Sequence, residues 1–510
     1  MSNLATRVAR LNDVLCAVNT LVWDSRTMMP PGGAATRGHQ VATLKGLARD
    51  MILDDGMRRA VDATLAATEG RDPADPERRA AEAVREAIER HARLSPELLR
   101  AQAEHSALAA AAWAEARAAG DFSVFRPYLE RVVALARQQA EALGYDEHPY
   151  DAMVHAFEPG ETAASLGRLF DRLRTGILPI LDHALGRPRP RTDFLYRDYP
   201  EAAQQAFCAE TARLLGYDTR RGRLDTTVHP FEISFTRNDV RITSRWSRNY
   251  LPMAIFGTIH ETGHALYEQG ADPAFDRSAH TTDMLTFYAV AGSSFGMHES
   301  QSRLLENHVG RSPAFWSVHY SRLRDTFPEQ LADVAEEEFV AAVNRVEPGL
   351  VRVEADELTY DLHIMLRVQI EMALMDGSLA VADVPEVWNE AMRRDLGLEV
   401  PHDGLGCLQD VHWSSGYIGS FPTYTIGNVT AVQIMAHLDA ERPEVRQALL
   451  AGDTAPLRAE LRELVWCHAR SRSRAEILAE IGHEASDPSA YLAYLAEKFG
   501  MPARGARAAQ

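Results

Sequence analysis

The stretch IFGTIHETGHALYEQG, residues 255–270, decides how this chain is read. Its centre is His260-Glu261-Thr262-Gly263-His264, flanked on both sides by apolar, helix-compatible sequence. At about 100° per residue, His264 falls about 40° and Glu261 about 100° from His260, so all three share one arc of a helix. Two imidazoles one turn apart can hold the same ion, and the carboxylate beside them can reach a water on it. With 19 His in 510 positions, chance produces about 0.05 such motifs in a chain of this composition, so surface histidines are the weaker reading.

An open catalytic metal site needs a third protein ligand. Downstream candidates are Glu268, His280, Asp283, His298, Glu299, Glu306 and His308. Glu268 lies one turn past His264 and does not easily curl back to the same ion. Residues 291–309 read as a further helix, on which His298 and Glu299 are about 100° apart, so one of the two faces the metal. His280 or Asp283 is the alternative. A carboxylate would leave a zinc complex at +1, a third imidazole at +2, and the spacing alone does not choose. Asp283, Glu306, Ser300 and Ser302 are candidates to orient the ligands.

Around this motif the chain is mainly helical. Residues 75–143 are rich in Ala, Arg, Glu and Leu, strong helix formers, and the Ala-heavy run 101–119 suits close helix packing. Residues 163–186 and 199–216 also read as helices, separated by an extended Arg-Pro-Arg-Pro-Arg connection at 187–191. Only 226–246 changes character: β-branched and aromatic residues surround Arg237-Asn238-Asp239, which reads as a β-hairpin with an edge open to an extended peptide. There is no internal repeat. One large unit over 1–502 with a disordered 503–510 tail is the simplest organisation.

Composition narrows the function. Apolar residues make up 46% and charged residues 25%, as in globular proteins. The formal charge of −18 argues against a nucleic-acid partner. Cys16, Cys208, Cys407 and Cys467 form no C-x-x-C pair, which fits a reducing cytoplasm and leaves any metal to His and carboxylates. No apolar run reaches the ~18 residues of a membrane span, and the N-terminus lacks a signal-peptide core, so a membrane association is not expected.

Several blocks in order resemble the carboxypeptidase Taq family of zinc metallocarboxypeptidases. They are WDSRTMMPPGG (23–33), VHPF (228–231), DVRITSRW (239–246), HETGHALYEQG (260–270), HESQSRLLENHVGRS (298–312), VRVEADELTYDLHIMLR (351–367) and QDVHWSSGYIGSFPTYTIGN (409–428). The resemblance implies a mainly α, single large helical deep-cleft fold of neurolysin-like type, with a small β-hairpin or sheet beside the active site. It implies His260, His264 and Glu299 as ligands of zinc and Glu261 as general base; His and carboxylate ligands also accept cobalt or manganese, so cobalt is a possible substitute. It also implies homodimers that remove single residues from peptides with a free C-terminus. The chain departs from the family pattern in the longer 271–296 link, in Ser420 where the block usually has Tyr, and in Ser25-Arg26-Thr27.

An exopeptidase must recognise an α-carboxylate, which the guanidinium fork does best. Arg352, Arg241, Arg245 and Arg367 are candidates, with Arg352 favoured by its VRVEADE block. Tyr417 and Tyr424 are candidate oxyanion donors, Tyr424 the preferred one. His229 and His412 could bond the substrate backbone, whereas Tyr360 and Trp413 read as packing residues. The alternatives are an endo-acting zinc oligopeptidase and a non-catalytic helical zinc protein.

Overall fold

The computed structural model describes residues 3–287, 290 and 292–501; the expected tail, 503–510, lies outside them. The described residues are mostly helical with one small sheet, as expected. The Ala-rich tract forms the helices Pro76–Arg93, Pro96–Ala119 and Phe122–Leu143. Local chemistry divides them: the Ser95 and Asp121 side chains cap backbone N–H groups, and Gly120 takes the left-handed φ of 68° that ends the middle helix. Ala163–Leu185 and Glu201–Leu214 follow the expected bounds closely.

Two compact units form. The first comprises Met1–Ala92, Pro190–Val343 and Gln433–Ala485, and the second Arg93–Arg189, Asn344–Val432 and Ser486–Gln510, among the described residues of each. Neither is a contiguous segment, so neither boundary shows as a composition shift along the sequence.

In the first unit, helix α1 (Asn3–Thr27) lies against a sheet of β1 (Gly222–Thr226), β2 (Glu232–Thr236) and β3 (Asp239–Ser244). The order is β1-β3-β2, with β2 antiparallel and β1 parallel to β3. The hairpin was legible from β-branched residues, but β1, GRLDT, carries no such signal and is a strand through its pairing with β3. The expectation of an open β2 edge needs correcting. Asn19 Nδ2 of α1 donates to Ser234 O at 2.9 Å and Cys16 Sγ to Phe235 O at 2.8 Å, so these two carbonyls are already taken. Arg241 is likewise committed. It pairs with Asp239 at 2.9 Å and stacks on Trp23 and Phe235 at 4.5 and 4.6 Å, joining α1 to the sheet.

The second unit has a continuous apolar core that includes Phe125, Leu129, Leu173, Trp388 and Phe421. A helix, Tyr360–Asp376, runs through it with Asp361, His363, Arg367 and Glu371 all buried. The carboxyl and guanidinium groups among them require partners, whereas burial pushes His363 down to about 3 and keeps it neutral. Asp361 accepts from Tyr491, Thr425 and Asn428. Glu371 accepts from the Tyr150 hydroxyl, Trp413 Nε1 and the Gly419 backbone N–H at 2.8–3.0 Å, fixing the turn at 413–419.

Candidate metal centre

The HETGH motif lies in α2 (Leu251–Gly270), a helix buried along most of its length. Against it runs α3 (Phe295–Arg303). The approach is unusually close. A Cβ at Gly263 would stand 2.4 Å from Gln301 O and 2.5 Å from Ser302 Cα. Only glycine allows this contact, and the contact brings Glu299 of α3 to the histidine face of α2.

The expected single helix over 291–309 is in fact α3 followed by a π-helical segment, Leu304–Gly310. Wide turns of this kind recur at functional sites. Here the segment presents Glu306 to His260.

Three groups converge. Glu299 Oε2 lies 3.7 Å from His260 Nε2 and 3.4 Å from His264 Nε2. Ligand atoms each ~2.1 Å from a tetrahedral ion stand about 3.4 Å apart, so these spacings suit one divalent cation. Among the described residues, His260, His264 and Glu299 are the one group of His, Cys, Asp and Glu side chains spaced to hold a metal.

The atoms behind them set the tautomers. His260 Nδ1 is 3.0 Å from Glu306 Oε2. A carboxylate only accepts, so Nδ1 carries the proton and Nε2 keeps its lone pair. Glu306 is itself held by Arg311 at 2.7 Å, and Arg311 stacks on Phe256. Arg303 Nε donates to Glu299 Oε1 at 2.8 Å, leaving Oε2 to face the histidines. Neither arginine was singled out in the sequence; only the fold shows what their carboxylate partners, four and five residues earlier in the chain, do.

Electrostatics agree with a cation site. Burial pushes His264 down to about 3, so the ring is neutral, as a ligand must be. Burial also opposes protonation of His260, but Glu299 and Glu306 outweigh it and raise its affinity for positive charge. Glu299 and Glu306 stay ionised: burial works against this, but His260 and Arg303 hold the first, and Arg311 with His260 the second, far below the usual range. Burial pushes Glu261 up to about 7, near the value a general base needs at neutral pH.

The alternative ligands lie elsewhere. His280 Nε2 contacts Pro76 O at 2.9 Å, and Asp283 caps the Leu285 and Thr286 backbone N–H groups. Ser300 and Ser302 donate back to carbonyls of their own helix, so of the suggested orienting groups only Glu306 does so. His298 points away from the three-atom cluster and toward the far side of His264.

The other expected site residues separate by unit. In the first, His229 and Arg245 are exposed, and Arg245 makes no ion pair among the described residues. In the second, Arg352 is 7% exposed and its Nε and Nη2 both donate to Asp410 Oδ1, while Nη1 donates to the Tyr360 hydroxyl at 3.1 Å. Arg367 Nε donates to Asp410 Oδ2 at 2.6 Å. Two guanidinium groups thus share one carboxylate, leaving one net positive charge. Tyr360, read as packing, is a polar partner of this cluster. Arg352 also lies 5.2 Å over the Tyr424 ring, whose hydroxyl is 3.4 Å from His412 Nε2. Burial pushes His412 down to about 4, keeping it neutral. Tyr417 is exposed beside Phe157. Ser420 is buried, its hydroxyl donating to Tyr417 O at 3.3 Å.

Comparison with known proteins agrees with this architecture. The family model described as carboxypeptidase Taq (M32) metallopeptidase matches residues 3–499. The chain is 40% identical over 495 residues to thermostable carboxypeptidase 1 of Thermus thermophilus, covering 94% of each chain. It is 34% identical over 484 residues to carboxypeptidase 1 of Bacillus subtilis, covering 95% of this chain and 94% of that one. The M32 carboxypeptidase structure from Deinococcus radiodurans superposes with a TM-score of 0.92 at 39% identity over 98% of both chains. PZ peptidase A shares the fold alone, with a TM-score of 0.61 at 10% identity. The sequence blocks, the helical fold and these matches over nearly the whole length place the chain in the carboxypeptidase Taq (M32) metallopeptidase family, as a metallocarboxypeptidase.

Proposed function

We propose that the chain releases single C-terminal residues from peptides at a zinc ion held by His260, His264 and Glu299. The observation that supports this most is the spacing of the three ligand atoms, with Glu261 on the same helix and the His260 tautomer fixed by Glu306. Two imidazoles and one carboxylate are the ligand set of an open catalytic zinc site, and cobalt has similar demands. Such an ion supplies Lewis acidity toward the scissile carbonyl and acidifies the attacking water.

The protein's own groups perform the rest. Glu261 takes the proton of the attacking water and delivers one to the leaving amine. Tyr424 donates a hydrogen bond to the developing oxyanion. Arg352, with the excess positive charge it shares with Arg367, donates to the substrate α-carboxylate, an assignment the endo-acting alternative does not need. His229, Arg245, His412 and Tyr417 are proposed substrate contacts.

The family match over residues 3–499 supports treating 1–502 as one metallocarboxypeptidase domain. All four cysteines are free, which supports a cytoplasmic location. No helix among the described residues is long and apolar enough to cross a membrane. Family resemblance supports a homodimer, checked by sedimentation.

The deciding experiment is mass spectrometry of one peptide in free-acid and C-terminally amidated forms, with zinc- or cobalt-loaded enzyme. The expected outcome is a one-residue ladder from the free acid and almost none from the amide. Equal cleavage of both forms would overturn the carboxypeptidase assignment in favour of the endo-acting one.

A further inference from the structure

His264 has a different support from His260. Behind His260 stands a carboxylate, the usual partner of a metal-binding imidazole. Behind His264 stands a second imidazole. His298 Nδ1 is 2.6 Å from His264 Nδ1, and its Nε2 is 2.8 Å from Glu268 Oε1. Glu268 is 2% exposed and its other oxygen accepts from Ser234 of β2 at 3.0 Å. A second carboxyl, Glu232, lies 4.0 Å from His298 Nε2; burial, with Glu268 and Glu261 nearby, raises it well above the usual carboxylate range.

Proton counting leaves one arrangement that frees His264 for a metal. Glu268 accepts, so His298 Nε2 carries the proton. With its proton on Nε2, His298 offers a lone pair at Nδ1 in this arrangement. His264 Nδ1 must donate to it, and His264 Nε2 keeps the lone pair that faces Glu299. Were His298 turned so that Nδ1 donated, His264 would accept at Nδ1 and carry its proton at Nε2, on the metal side. The seat allows little turning. The His298 ring lies 4.7 Å from the His264 ring and 5.3 Å from Tyr267, and a Cβ at Gly292 would come within 2.6 Å of His298 Cδ2.

We infer that His298 is a positioning residue, and that the line Ser234–Glu268–His298 locks His264 in the tautomer and orientation that bind the metal. The inference rests on the proposed ligand set and adds a residue that does not touch the ion. It also ties a metal-facing group to the sheet, because Ser234 belongs to β2.

The test uses the full-length protein and two complementary substitutions. His298→Phe keeps ring volume and removes the acceptor. His298→Asn keeps an acceptor near the Nδ1 position and loses the ring. Zinc affinity is measured by chelator competition, the visible spectrum of the cobalt form reports coordination, and apo-protein thermal unfolding reports packing. His298→Phe is expected to weaken zinc binding about 10- to 100-fold and alter the cobalt spectrum. His298→Asn is expected to recover most of the affinity and the native spectrum, even if its apo form melts earlier. Wild-type zinc affinity in His298→Phe, or affinities that simply track apo stability across both variants, would overturn the inference. The ligand set fails separately: Glu299→Ala or His264→Ala retaining wild-type zinc affinity would refute the assignment beneath it.

Discussion

Gly263 makes the sharpest test of how this site is built. In Gly263→Ala the new methyl group would meet Gln301 O at 2.4 Å, Ser302 Cα at 2.5 Å and Gln301 C at 2.8 Å. All three are backbone atoms of α3, so no side chain can rotate away. Relief to an ordinary 3.4 Å contact parts α2 and α3 by about 1 Å. Metal–ligand distances tolerate about 0.2 Å, so Glu299 would leave the range in which it shares an ion with His260 and His264. A displacement of that size costs on the order of 100-fold in activity. Overpacking of about 1–3 kcal/mol is partly offset by the ~1 kcal/mol that Ala gains over Gly inside a helix. The variant should therefore fold, melt within a few degrees of wild type, and bind zinc at least tenfold more weakly. Gly46→Ala is the control: it lies in the helix Ala34–Leu53 with nothing within 4 Å of where its methyl group would stand, and should be neutral or slightly stabilising. Chelator competition and kcat/KM on one dipeptide-extended substrate give the readout. Wild-type zinc affinity and turnover in Gly263→Ala would show that the close helix approach does not set the ligand geometry.

Three further outcomes follow from the same structure. Glu261→Gln should bind zinc normally yet lose at least 100-fold in kcat, since the amide cannot take the water's proton; stoichiometric metal with full activity would refute the general-base role. Glu306→Gln should weaken zinc binding about 10- to 100-fold through loss of its hold on His260, measured by chelator competition, and an unchanged affinity would refute that role. Burial pushes Glu371 up to about 7, above its ~4.3 in an unfolded chain. The folded state holds that proton more tightly, so the associated stability is complete below about pH 4.3 and is lost as pH rises through 7. It amounts to roughly 3–4 kcal/mol. Urea unfolding between pH 5 and 8 should show a decline that Glu371→Gln flattens, and an equally steep decline in the variant would exclude Glu371 as its source.

Much of this protein was legible from the chain alone. Helices follow from Ala, Leu, Glu and Arg content, because propensity acts within a few residues, whereas their division at Ser95, Gly120 and Asp121 is seen in the folded chain. His260, Glu261 and His264 share a helical arc by spacing alone. The third ligand was different: spacing allowed His298, Glu299, His280 or Asp283, and the ordered sequence blocks pointed to Glu299 by resemblance. Only the tertiary structure supplies the physical reason. Glu299 meets the histidines because Gly263 lets α3 touch α2, and His298 is turned to the back of His264. The same holds for β1, a strand only by pairing, and for Arg303, Arg311 and Glu268, whose roles depend on partners brought together by helix packing. Local propensity and periodicity act along the sequence, whereas hydrogen-bond direction, tautomer and ligand spacing are set by contacts between distant segments, and those exist only in the folded chain.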